Sequence, residues 1–180
     1  MMLRTATALA SVLALSVLAA CGSMSSAMPM YSQDNLPTVV QVPAGHTVAM
    51  QTVGSGEITY QCNPRKDMAG QFEWSFVGPD AKLNDRSGKQ VGKYYGPPAT
   101  WESMDGSKLT ATQVAVAPNG MGNIPFQLVT GNPDMGNGAL PGVTYIQRVN
   151  TQGGVAPAPA GAPGDAGATQ VAHDPGESHV

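Results

Sequence analysis

The sequence predicts an all-β protein: a single antiparallel β-sandwich, with a barrel as the alternative. Three observations predict it. Apolar and polar residues alternate with period two in segment after segment between residues 44 and 157. Clusters rich in Gly, Pro, Asn and Asp separate those segments at short intervals. No long helical period follows residue 30, so helix is expected only in short pieces. Short strands joined by regular turns characterise sandwiches and barrels.

The segments follow one another along the chain. "HTVAMQTV", starting at His46, is a Val- and Thr-rich strand candidate, and "GSG" at 54–56 reads as a turn. "EITYQC" puts Ile58, Tyr60 and Cys62 on one face and Glu57, Thr59 and Gln61 on the other. "NPRKDMAG" at 63–70 is the next turn. "FEWSF" points Phe72, Trp74 and Phe76 inward, and "GPD" at 78–80 and "DRSG" at 85–88 read as further turns. Tyr94 and Tyr95 are consecutive, so on a strand they face opposite sides. "GPP" at 96–98 is a rigid loop, because proline is barred from a central ladder. "ATWESM" and "SKLTATQVAV" flank Asp105–Gly106, which suits a type I′ hairpin and brings Trp101 near Leu109. "IPFQL" points Ile124, Phe126 and Leu128 one way. "VTYIQRV" points Val143, Tyr145, Gln147 and Val149 one way and Ile146 the other.

The ends of the chain carry an address. Arg4 precedes an apolar run padded with Ala, Ser and Thr, which is the pattern of an export signal over residues 1–20. The run stops at "LAAC", a bacterial lipobox, so Cys21 is the expected lipidation site and the first residue of the mature protein. Two or more acyl chains give stable membrane attachment. The expected location is the cell envelope, at the outer membrane if the host has two, since Gly22 follows the cysteine. Residues 21–43 read as a flexible tether, residues 44–157 as one β domain, and residues 158–180 as a disordered low-complexity tail. The mature chain holds eight Lys and Arg against twelve Asp and Glu, so it has no basic patch and nucleic acid is excluded as a partner. With Cys21 lipidated, Cys62 has no partner for an internal disulfide, and a cysteine zinc site is excluded.

Candidate chemistry concentrates in "YYGPPATWESMDGSK", from Tyr94 to Lys108. Trp101, Tyr94 and Tyr95 are the candidate ligand contacts: Trp101 with one outward Tyr would form a platform, whereas a Trp101 packed under the hairpin would be core. Glu102, Asp105 and His46 are the side chains that an envelope hydrolase would use. Two carboxylates in one tight turn seldom straddle a shared substrate. There is no G-x-S-x-G elbow and no phosphate-cradling loop before a helix. No catalytic residue, metal ligand or cofactor is therefore assigned.

The strings "FEWSFVGPDAKLND", "GKQVGKYYGPPATWESMDGSK" and "GVTYIQRVNTQGGVAP" resemble the bacterial and fungal family called domain of unknown function 3455. "AGHTV", "YQC" and "IPFQLV" extend the resemblance over about residues 43–157. It implies an exported, β-rich domain without an established activity. Relatives commonly carry a second Cys after the "GGVAP" stretch, which implies a disulfide to the "YQC" cysteine. This chain lacks that second Cys, so Cys62 is expected to be a buried free thiol. The reading that joins these strands is a lipid-anchored envelope protein that binds or assembles, with an envelope glycan or envelope protein as partner. The alternative is the hydrolase named above.

Overall fold

The computed structural model describes residues 31–133, 137–157 and 169–179, the last by backbone alone. The protein is all-β. Its strands are β1 (Thr52–Pro64), β2 (Phe72–Asn84), β3 (Gln90–Tyr95), β4 (Thr100–Ser103), β5 (Lys108–Ala117), β6 (Phe126–Gly131), β7 (Tyr145–Val149) and β8 (Thr169–His179). Strands β1 to β7 form one curled antiparallel sheet in chain order. β8 pairs with both β1 and β7 and closes that sheet into a barrel. The barrel is thus realised rather than the sandwich. Closure removes the two sheet edges, whose unpaired backbone groups are otherwise a liability.

Register explains the core. Ala81 pairs with Tyr94, Tyr94 with Trp101, and Trp101 with Leu109, a row that runs across four strands on one face. Val129 pairs with Ile146 further round. These residues, with Leu83 and Leu140, form the main buried cluster. A second cluster lies on the opposite face of β5 and β6, where Ala117 and Leu128 pack with Val40. The two faces of "VTYIQRV" divide as expected, with Ile146 in the first cluster and Tyr145 packed against the second.

Several expectations need correction. The stretch read as a tether is docked over part of its length: Val40, in a 3₁₀ turn at Thr38–Val40, is fully buried with Leu36 and Val42 around it. That turn covers apolar surface on β5 and β6 which would otherwise face water. Residues 169–179, expected within a disordered tail, form β8, because the edge of β1 offers them a backbone ladder. "HTVAMQTV" enters a strand only at Thr52. "GSG" and "GPD" are strand interior rather than turns. A Cβ on Gly56 would lie 2.1 Å from the Asp80 carbonyl oxygen, and one on Gly78 would lie 2.1 Å from that of Gly96. Glycine stands there for close backbone approach.

The Asp-Gly hairpin exists, with a different turn. Ser103 N–H donates to Ser107 O and Gly106 N–H to Ser103 O, both at 2.9 Å. Only Gly106 of its central residues has positive φ, at 89°. This is a three-residue loop closed by glycine, not the two-residue type I′ form. Phe72, Trp74 and Phe76 do share a face, but Phe76 is 59% exposed.

Candidate functional site

One cavity dominates the described residues. It has a volume of about 210 Å³ and opens at one end of the barrel. Strand faces supply Leu83, Trp101 and Ile146, and the loop before β7 supplies Leu140 and Val143. The segment 42–50 crosses over it and adds Val42, His46, Val48 and Met50. That segment belongs to no strand, so its side chains are placed by the docked turn before it and by β1 after it.

A polar cluster borders the cavity where the docked segment meets β7. Gln147 is fully buried. Its Nε2 donates to Val40 O at 2.5 Å and to Gln33 Oε1 at 3.2 Å, and its Oε1 accepts from Tyr31 OH. Gln33 in turn accepts from Val42 N–H at 2.8 Å and donates to Val42 O at 3.1 Å. The amides therefore satisfy one another and pin the segment to the barrel. Burial pushes the Tyr31 phenol above its ordinary range, partly offset by the bond to Gln147.

The aromatic candidates separate. Tyr94 and Trp101 are 6% and 5% exposed and stack with centroids 4.6 Å apart. They are core, not an outward platform. Trp101 nonetheless lines the cavity, so a ligand there would reach it. Tyr95 faces the other way, as expected, with its OH donating to Glu102 Oε2 at 2.8 Å and Lys93 Nζ 5.4 Å from its ring centroid.

The hydrolase candidates do not converge. Glu102 and His46 both line the cavity, whereas Asp105 does not. The Glu102 carboxylate takes the Tyr95 bond and two ion pairs, to Lys108 at 3.2 Å and Lys93 at 3.4 Å. The Tyr95 hydrogen bond first, then Lys108 and Lys93, hold it below the usual carboxylate range. A general acid needs the opposite shift. Asp105 accepts from Ser107 Oγ at 2.6 Å, Ser107 N–H at 2.9 Å and Ala139 N–H at 2.7 Å. Those bonds lower its pKa to about 2 and mark it as a turn cap that ties the hairpin to the loop before β7. His46 Nδ1 lies 3.0 Å from Pro43 O and its ring sits edge-on to Tyr145. No group of three metal-ligating side chains occurs among the described residues.

Comparison with known proteins then places the chain. Residues 43–172 match the family model described as protein of unknown function (DUF3455). The chain belongs to this family. No curated protein and no solved structure matches it. In this DUF3455 member Cys62 is a free, fully buried thiol, as the missing second cysteine leads one to expect. Cys21, the proposed lipidation site, and the signal at 1–20 lie outside the described residues, as do residues 21–30 of the tether and 158–168 of the tail. The apolar walls of the cavity went unread in the sequence. Leu83 and Ile146 carry the same signal as any inward strand residue, and nothing local separates a wall from a filled core.

Proposed function

We propose that this protein is exported, held at the cell envelope by acyl chains on Cys21, and acts there by binding rather than by catalysis. The observation that supports binding is the open cavity of about 210 Å³ at the barrel end. The convergent, largely apolar site is the form small-molecule sites usually take. The side chains that would support hydrolysis are engaged elsewhere: Glu102 with two lysines and a tyrosine, Asp105 in its turn. The family assignment is consistent with this reading and names no activity.

The test uses the lipidated protein recovered from its native envelope in mild detergent. The eluate is measured for intact mass and for co-purifying molecules. The expected mature chain begins at acylated Cys21, and a ligand or envelope partner accompanies it in near-stoichiometric amount. An unmodified Cys21, or cleavage at another residue, refutes the anchor. Protein recovered with nothing bound refutes the binding role.

A further inference from the structure

We infer that the cavity binds a small, neutral, apolar molecule: one aromatic ring with a short substituent, or a short aliphatic chain. This inference rests on the binding role proposed above and specifies its ligand.

Size comes first. An apolar cavity of about 150 Å³ accepts benzene. The volume here is about 210 Å³, which leaves room for a ring and a short extension. Wall chemistry comes second. Leu83, Trp101, Leu140, Val143 and Ile146 present aliphatic and aromatic surface, with Val42 and Met50 from the crossing segment. Such walls favour an apolar guest through the area they remove from water.

Charge decides the rest. No Lys or Arg is among the residues lining the cavity, and Glu102 is its one carboxylate. That carboxylate is already paired with Lys93 and Lys108. The amides of half-buried Gln33 and buried Gln147 are committed to each other, to Tyr31 and to the backbone of residues 40 and 42. A charged ligand would leave water with no counter-charge waiting, a cost that neutral molecules escape. The polar groups left for one end of the ligand are those of the crossing segment and the loop before β7, among them His46, Thr47 and Thr144, all exposed.

The experiment uses the full chain carrying Trp74→Phe, which leaves Trp101 as the single indole. 4-Nitroanisole, a neutral one-ring chromophore whose absorption overlaps tryptophan emission, is titrated and energy transfer from Trp101 is read as loss of its emission. Matched competitors then displace it: toluene against benzoate and benzylammonium, and 1-hexanol against hexanoate and hexylammonium. Saturable transfer is expected, with each neutral competitor at least tenfold more effective than its charged counterparts. Val143→Phe, which fills the cavity, is expected to weaken the probe at least tenfold. Val48→Asp sets a charge on an exposed lining residue without threatening the fold, and is expected to weaken it as well. Val114→Asp, exposed and outside the cavity, is the control and binds as the parent does. No saturable transfer overturns the inference, and so does unchanged affinity in Val48→Asp and in a folded Val143→Phe. A charged competitor that equals its neutral counterpart overturns the ligand class, while the binding role, tested on the native envelope, still stands.

Discussion

Trp101→Ala is the sharpest test of the core. The indole is 5% exposed, stacks on Tyr94 and pairs across strands with Leu109. Truncating a buried Trp or Phe to Ala costs about 3–5 kcal/mol. Two features place Trp101 in the middle of that range or above. The stacked pair is worth roughly 0.5–1.5 kcal/mol beyond its buried area. The vacated volume would also merge with the existing cavity, so the neighbours cannot collapse to fill it. A loss of about 4 kcal/mol is a large share of the roughly 5–15 kcal/mol that holds a domain folded. At about 3 °C per kcal/mol for a domain of this size, Tm falls by about 12 °C. Thermal melting followed by circular dichroism reads this without relying on the lost indole. Trp101→Phe keeps a ring on Tyr94 and should lose less than half as much. Phe76→Ala, at a position 59% exposed, should change stability by under about 1 kcal/mol. A Trp101→Ala protein that melts within 3 °C of the parent refutes the placement of Trp101 in the core.

Three further outcomes follow from individual contacts. Gln147→Leu keeps the volume but strips Val40 O, Gln33 and Tyr31 of a partner, so a loss of about 2–3 kcal/mol is expected in urea denaturation, and a loss below about 0.5 kcal/mol would show that the polar cluster does not pin the docked segment. Cys62 is fully buried, so a thiol reagent should label the native protein only as fast as it opens; complete labelling within seconds contradicts its burial. Asp105 has a folded pKa of about 2, below its ordinary 3.8, so its contribution is fully present above pH 3.8 and is lost as pH falls toward 2. The parent should therefore melt higher than Asp105→Asn at neutral pH, with the two curves converging below about pH 4; a gap that widens in acid would show the sign to be reversed.

Much of the local structure is legible in the residues. Side-chain alternation alone put Ile58 and Cys62 on one face, Tyr94 and Tyr95 on opposite faces, and Tyr145 and Gln147 opposite Ile146. Hairpin chemistry put Trp101 beside Leu109. These are consequences of a period of two and of tight turns, which involve only residues near in sequence. The candidate site was legible only in part: Trp101, His46 and Glu102 were singled out and do line the cavity, whereas Leu83, Leu140, Val143 and Ile146 were not read as site residues. Tertiary structure decided everything that depends on distant partners. Glycine reads the same in a turn and beneath a crossing backbone, so only the approach of Ala81 to Gly56 shows that "GSG" is strand. Residues 36–42 have linker composition, and only the apolar face of β5 and β6 gives Val40 somewhere to bury. Sandwich and barrel share one alternation pattern, and the choice between them lies in how β8 meets both β1 and β7. The cavity is the same kind of fact. Its walls come from segments as far apart as Tyr31 and Gln147, 116 residues along the chain, and empty space between them is a property of their packing that no single segment encodes.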